Sequence, residues 1–179
     1  MAPNYLKMKK LLWVEDQYED LMDYFSRLGR INYLVEPVKS VTTALKKMKK
    51  EEYDLYVLDL KILSGNSSKW EKLDDKKRAE NPQFDPYLGL ELLRYLYRAK
   101  QKQTKLWEKI KFDFSKVIVF SVVNDQKVYN ELTSFGIPPE QIVYKSGSNL
   151  DTLAELIITM QGDKGEKNTI FEKHLKPQH

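Results

Sequence analysis

The chain has 179 residues, no cysteine, a formal net charge of +4 and a sequence pI of about 9.0. Hydrophobic residues make up 41% of the chain and aromatic residues 12%, which suffices for one sizeable core and excludes wholesale disorder. The absence of cysteine excludes disulfides and thiolate metal sites, and no apolar run has the length of a membrane span. We therefore expect one cytoplasmic domain without a membrane partner.

Five strand-like runs alternate with five helix-like segments along the chain. The strand candidates are short apolar runs at Lys10–Glu15, Asn32–Val38, Tyr53–Leu60, Val117–Ser121 and Gln141–Lys145. The helix candidates repeat apolar residues at helical spacing over residues 21–29, Ser40–Lys50, Pro86–Ala99, Gln126–Phe135 and Asn149–Met160. Ser40 is a predicted N-cap, and Gly29 and Gly136 are predicted helix stops.

This alternation predicts an α/β fold, a three-layer α/β/α sandwich with a parallel sheet. We expect the domain to cover residues 1–161, followed by a polar tail over residues 162–179. His174 and His179 lie in that tail without the spacing of a metal site, so neither receives a role.

Two segments interrupt the alternation. The polar insert Lys61–Asp85 reads as a long loop or a small helical subdomain, and a tolerated surface insertion is an equal alternative to a lid or a docking surface. The connection Lys100–Ser115 belongs to a basic stretch, for which a solvated helix end is favoured over nucleic-acid binding. Trp70 and Trp107 are predicted to anchor these two segments to the core, whereas a role in an interface is the alternative.

Reactive side chains stand where four of the predicted strands end. Glu15 and Asp16 follow the first strand, and Asp59, Ser121 and Lys145 end the third, fourth and fifth. In an open α/β sheet these carboxyl ends form the ligand site. Clustered carboxylates suit Mg²⁺, an aspartate can accept a phosphoryl group, and a hydroxyl and an ammonium can bind it. Each residue alone is more often a helix cap or a solvated group, so the ordered set carries the hypothesis.

The chain resembles the receiver domains of two-component response regulators. The resemblance rests on LLWVEDQYEDLMDYF, YDLYVLDLKI, LGLELLRYL, VIVFSVV and IVYKSG, and it covers about residues 9–160 apart from the insert. It implies a flavodoxin-like sheet of strand order 2-1-3-4-5. It also implies that Asp59 is the phosphoacceptor and that Ser121 and Lys145 contact the phosphoryl group. The implied Mg²⁺ ligands are Asp16, Asp59, Glu15 in support and the backbone carbonyl of Lys61.

The resemblance implies a signalling switch. A histidine kinase or a phosphotransfer protein would phosphorylate Asp59, and the output would pass through contacts with another protein. Such a domain catalyses at most its own phosphorylation and dephosphorylation, so we expect no enzyme acting on a separate substrate. The alternative is a pseudo-receiver, a protein-binding module that works without phosphate.

Several positions depart from the receiver pattern. Val122 stands where the family usually has a small residue, Ile142 where it often has Tyr or Phe, and Ser146 where it usually has Pro. Tyr144 has the strand parity to substitute for the missing ring, although packing is the favoured role. Val123 and Lys61 occupy positions that tune dephosphorylation in the family, so we expect an altered phosphoryl lifetime.

Two further functions are weaker. A phosphohydrolase of the haloacid-dehalogenase type needs a second acid two positions after its nucleophile, where this chain has Lys61. Dinucleotide binding needs a glycine-rich turn after the first strand, and the chain has none there.

Overall fold

A five-stranded parallel sheet forms the centre of the computed structural model, which describes residues 8–146 and 149–160. Its strands are β1 (Lys9–Val14), β2 (Tyr33–Val38), β3 (Leu55–Leu58), β4 (Val117–Ser121) and β5 (Ile142–Tyr144). The strand order is β2-β1-β3-β4-β5, which confirms the predicted order and fold class. The parallel register aligns Val14 of β1 with Val38 of β2 and Leu58 of β3, so these three strands end level with one another.

Seven helices surround the sheet in the described part of the chain. They are α1 (Met22–Arg30), α2 (Val41–Lys50), α3 (Ser68–Glu80), α4 (Leu88–Gln101), α5 (Lys105–Lys109), α6 (Gln126–Ser134) and α7 (Asn149–Met160). Buried residues of α1 and α7 pack on one face of the sheet, and those of α2, α4 and α6 pack on the other. The central strands β1, β3 and β4 are apolar because both of their faces are covered. Trp13 in β1 is fully buried.

Two of the three predicted helix ends are confirmed. The hydroxyl of Ser40 accepts a hydrogen bond from the backbone N–H of Thr43 at 3.3 Å and caps α2. Gly136 follows the end of α6 with a φ of 93°, a conformation that glycine adopts without strain. The predicted stop at Gly29 is wrong, since α1 continues to Arg30 and the residue with positive φ is Asn32.

The insert contains a helix and is tied into the domain. Its helix α3 buries Trp70, whose ring packs edge-on against Tyr95 of α4 at a centroid distance of 5.6 Å. The backbone N–H groups of Val41 and Thr42 donate hydrogen bonds to the carbonyls of Leu63 and Ser64 at 2.9 and 3.2 Å. The insert thereby satisfies two N–H groups that the start of α2 leaves free. The anchoring prediction for Trp70 is confirmed.

The basic connection is more ordered than predicted. It contains α5 and a short 3₁₀ turn, Phe114–Lys116, and it buries Ile110, Phe112 and Phe114 in the core. Trp107 stacks on Phe114 with ring centroids 6.4 Å apart and also packs against this core. The basic side chains are mostly exposed, as the solvated interpretation predicts, and the apolar residues between them hold the connection against the core. The anchoring prediction for Trp107 is confirmed.

Within residues 8–146 and 149–160, no helix has the length and apolar character needed to cross a membrane. The predicted polar tail, together with His174 and His179, lies outside the described residues.

Candidate functional site at the carboxyl ends of the strands

Glu15, Asp59 and Lys145 stand at the same edge of the sheet, one residue beyond β1, β3 and β5. Two positions before each of them, the strand carries a core residue that packs on the face covered by α1 and α7. These core residues are Trp13, Val57 and Val143. Because side chains alternate between the faces of a strand, the three ionisable groups point to that same side. Their backbone N–H groups donate to carbonyls of the neighbouring strands at 2.8–2.9 Å, which continues the sheet pairing and holds them in place.

The carboxylate of Asp59 is buried and held by three donors. Its Oδ1 accepts hydrogen bonds from the hydroxyl of Ser121 at 2.6 Å and from the backbone N–H of Lys61 at 3.0 Å. Its Oδ2 lies 2.6 Å from the ammonium nitrogen of Lys145. Only 5% of Asp59 is exposed. Charged hydrogen bonds from several directions therefore fix the carboxylate plane.

The hydroxyl of Ser121 has a defined direction. Its oxygen accepts long hydrogen bonds from the backbone N–H groups of Leu60 and Val123, both at 3.4 Å. Since these donors occupy the oxygen, its proton is free to be donated to Asp59. Ser121 thus presents a donor to the site from the end of β4.

Lys145 also binds Glu15, so one ammonium bridges two buried carboxylates. Burial raises the pKa of Glu15, and the hydrogen bond from Lys145 offsets part of that effect. Burial alone would lower the pKa of Lys145, but its attraction to Asp59 and Glu15 outweighs burial and raises it. Lys145 is therefore charged at neutral pH and compensates part of the negative charge around it.

Three carboxylates, those of Glu15, Asp16 and Asp59, can each offer an oxygen within 4.8 Å of the other two. Together with Lys145 they carry a formal net charge of about −2. A set of oxygen ligands with this charge fits a hard divalent cation. Asp16 is only half-buried, so solvent can reach this side of the cluster. The role of the Lys61 carbonyl stays a prediction.

Several solved structures are similar to this protein over most of its chain. A signal receiver domain from Vibrio parahaemolyticus matches with a TM-score of 0.55 and 16% identity, over 96% of this chain and 98% of the other. A two-component response regulator from Clostridium difficile matches with a TM-score of 0.54 and 13% identity, over 88% and 98%. A response regulator from Burkholderia pseudomallei matches with a TM-score of 0.51 and 14% identity, over 93% and 73%.

The chain has the fold of a response-regulator receiver domain. No family model matches the chain, and no curated protein matches it. At these identities the likeness concerns the receiver fold alone, so the roles of individual residues rest on the geometry of this chain.

One residue that shapes the site was not predicted from the sequence. Gly89 lies in the first turn of α4, and its N–H donates to the carbonyl of Leu60 at 2.9 Å. A Cβ at this position would lie 2.2 Å from the carbonyl oxygen of Asp59 and 2.8 Å from the Cα of Leu60. Glycine therefore lets α4 approach the backbone of the phosphoacceptor candidate. In the sequence, the signal for this close approach was the glycine near the start of the apolar helical segment LGLELL.

The departures from the receiver pattern lie beside Ser121. Val122 is 46% exposed and Tyr144 is 47% exposed, so both stand at the surface. Ile142 is half-buried and packs against the core. A cavity of about 120 Å³ between β4, β5 and α6 is lined by Ser121, Ile142 and Tyr144, among others. The aliphatic side chain of Ile142 therefore lines this cavity.

Proposed function

We propose that this protein is a phosphorylation-dependent signalling switch that accepts a phosphoryl group on Asp59. The observation that carries the proposal is the buried carboxylate of Asp59, held between the Ser121 hydroxyl and the Lys145 ammonium beside two further acids. The receiver fold supports it, and so does the Burkholderia pseudomallei response regulator, which contains a phosphorylated aspartic acid and a calcium ion.

Mg²⁺ is the proposed cofactor. The carboxylates of Asp16 and Asp59 would hold it with Glu15 in support, and the backbone carbonyl of Lys61 is the further proposed ligand. When bound, the cation neutralises charge on the phosphoryl oxygens during transfer. The excess of two negative charges in the cluster supports a divalent cation over a monovalent one.

The chemistry at Asp59 is a phosphoryl transfer. A carboxylate oxygen forms a bond to phosphorus while the bond between phosphorus and the donor's leaving atom breaks, and that bond's electrons stay with the donor. For a phosphohistidine donor the leaving atom is an imidazole nitrogen, and for acetyl phosphate it is an acetate oxygen. Ser121 and Lys145 already point their protons at the carboxylate, so they can transfer these hydrogen bonds to the new phosphoryl oxygens.

The proposed signal is a change of surface. Phosphorylation replaces one carboxylate charge by a group carrying about two negative charges. Ser121 and Lys145 lie at the ends of β4 and β5, so their shift toward that group would move the loops that lead into α6 and α7. We propose a histidine kinase or a phosphotransfer protein as the donor and another protein as the recipient of the signal.

Incubation with acetyl phosphate and Mg²⁺ tests the proposal, with the intact mass as the readout. We expect one phosphoryl adduct in the wild-type protein and none in Asp59→Asn. Removal of Mg²⁺ with EDTA before the reaction should also prevent the adduct, because the clustered acids otherwise repel the donor. An adduct of equal size in Asp59→Asn would refute the assignment of the phosphoacceptor.

A second candidate function is a receiver-shaped protein-binding module that works without phosphate. The observation in its favour is the Lys145 bridge between Glu15 and Asp59, which satisfies both buried acids without a metal. This candidate predicts neither an adduct nor a change in tryptophan fluorescence on addition of Mg²⁺.

A further inference from the structure

A groove of about 390 Å³ lies between α2 and the start of α3, where the insert meets the domain. Three lysines line it: Lys46 and Lys49 from α2 and Lys69 from α3. The buried ring of Trp70 and the half-buried ring of Tyr95 also line it. The groove therefore combines a positively charged rim with aromatic surface.

The lysines of this groove form no ion pair in the described part of the chain. None of the described residues that line the groove is acidic. Other lysines of the same helices do: Lys47 of α2 pairs with Glu36, and Lys77 of α3 pairs with Glu91. Like charges that share one groove repel each other until an anion joins them.

Lys69 is an exposed residue whose ammonium lies over the aromatic rings of the groove. Its ammonium lies 3.7 Å from the centroid of the Tyr95 ring and 5.5 Å from that of Trp70. A cation in the first turn of a helix also opposes the helix dipole. The preceding Ser67 provides no side-chain cap for α3, and the acid in its first turn, Glu71, does not line the groove. An anionic ligand would remove both unfavourable features.

We propose that this groove is a docking site for an acidic protein segment that carries an apolar side chain. Carboxylates of the segment would pair with Lys46, Lys49 and Lys69, and its apolar side chain would cover the surface of Trp70 and Tyr95. The proposal does not depend on phosphorylation of Asp59. It gives the insert a function, because α3 supplies one of the three lysines and one of the two rings.

The surroundings of the groove favour a short protein segment over a nucleic acid. Beyond Lys69 the exposed residues of α3 alternate in sign, with Glu71 and Asp75 next to Lys72 and Lys76. A nucleic acid needs a basic surface that continues along its phosphates. Beyond Lys49, the surface mixes Lys50, Lys109 and Lys111 with Glu51 and Glu52. The rim also lacks arginine, whose planar fork is the usual phosphate ligand.

The test is fluorescence anisotropy with the full chain at low ionic strength. The probe is a fluorescein-labelled synthetic peptide rich in Glu with one central Leu, and a peptide with Gln in place of every Glu is its control. We expect the triple variant Lys46→Gln, Lys49→Gln, Lys69→Gln to bind the Glu peptide about tenfold more weakly than the wild type. The Gln peptide should bind neither protein.

The matched control removes the same charge from the basic connection. The triple variant Lys100→Gln, Lys102→Gln, Lys105→Gln replaces three exposed lysines outside the groove and should change the affinity by less than about twofold. Lysine acetylation followed by mass spectrometry locates the bound peptide independently, and we expect protection of Lys46, Lys49 and Lys69.

Three results would overturn the proposal. The first is no binding of the Glu peptide to the wild-type protein. The second is equal weakening in both triple variants, which would indicate attraction to overall charge. The third is tighter binding of single-stranded oligothymidylate at the same three lysines, which would assign the groove to nucleic acid.

Discussion

The strand-end site and the insert use charge in opposite ways. At the strand ends the acids Glu15 and Asp59 are buried, and one ammonium, that of Lys145, is shared between them. In the insert most charges are exposed, and its helix α3 is attached to the domain chiefly through Trp70. Buried charges require partners with defined geometry, whereas exposed charges are screened by water and contribute little to stability.

The two regions are therefore held in place by different kinds of contact. The site depends on polar contacts of 2.6–3.0 Å and on the close approach of α4 at Gly89. The insert depends on one aromatic contact and on the backbone hydrogen bonds that it makes to α2. Substitutions in the two regions should therefore differ in which property they change, stability or chemistry.

The largest expected effect on stability comes from Trp70→Ala. Removing a buried tryptophan leaves a cavity between α3 and α4, and we expect the free energy of unfolding to fall by about 3 kcal/mol. Urea denaturation measures it. Phosphorylation of Asp59 by acetyl phosphate should persist in this variant. A loss below about 0.5 kcal/mol would show that the insert is not anchored by this side chain.

Gly89→Ala should affect both the strand-end site and the insert. The added methyl group would lie 2.2 Å from the carbonyl oxygen of Asp59, so α4 must move or the backbone of the site must shift. We expect a loss of about 2 to 3 kcal/mol in unfolding free energy, together with slower phosphorylation. Gly29→Ala is the matched control, because a Cβ there meets nothing within 4 Å. In its helical position alanine should raise stability by about 0.5 kcal/mol.

Lys145→Met should leave Glu15 and Asp59 buried without their cation. We expect a loss of about 2 kcal/mol without metal, reduced from the value for a fully buried pair because the Lys145 side chain is 21% exposed. Added Mg²⁺ should stabilise this variant more than the wild type, since the cation replaces the missing charge. Thermal unfolding with and without Mg²⁺ measures the difference, and equal stabilisation of both proteins would contradict it.

The ammonium of Lys145 should also make the free energy of unfolding depend on pH. The pKa of Lys145 is raised above its usual value of 10.5 in the folded protein. Its stabilising contribution is thus complete below pH 10.5 and is lost as the pH rises through the higher folded value. Urea titrations across this range should show a steeper alkaline loss of stability in the wild type than in Lys145→Met.

The smallest expected effect concerns the half-buried network that joins the insert to α6. Arg94 forms a two-pronged ion pair with Glu131 at 2.6 Å and also binds Glu91, which in turn pairs with Lys77 of α3. A double-mutant cycle with Arg94→Met and Glu131→Gln should give a coupling of about 1 kcal/mol. The exposed pair of Lys111 and Glu52 should give about 0.3 kcal/mol in the same type of experiment. Equal couplings would show that the geometry of Arg94 adds nothing.

The sheet was predictable because its signals are local. Apolar runs of strand length identified all five strands, with boundaries within two residues of those observed at both ends of β1, β3 and β5. The N-cap at Ser40 followed from a single residue type before an apolar helical face. The five candidate site residues could be selected because each lies at or just beyond the end of a strand, and strand ends meet at one edge of a parallel sheet.

The remaining features depend on contacts between distant parts of the chain. Helix α3 was predicted only as one of several alternatives and without bounds, because its sequence, SKWEKLDDKKRAE, has only two large apolar residues and no apolar stripe. The need for glycine at position 89 depends on the backbone of Asp59, thirty positions earlier. The Lys145 bridge to Glu15 spans 130 positions, and no sequence pattern indicates which acid an ammonium will bind.

The central claim is that the chemistry of this protein takes place on the carboxylate of Asp59. Borohydride reduction after treatment with acetyl phosphate and Mg²⁺ tests it directly, because an acyl phosphate is reduced to an alcohol while a free carboxylate is not. Peptide mass spectrometry should then find homoserine at position 59 and unchanged aspartate at position 16. Reduction at Asp16 alone, or at an acid of the insert, would contradict the account.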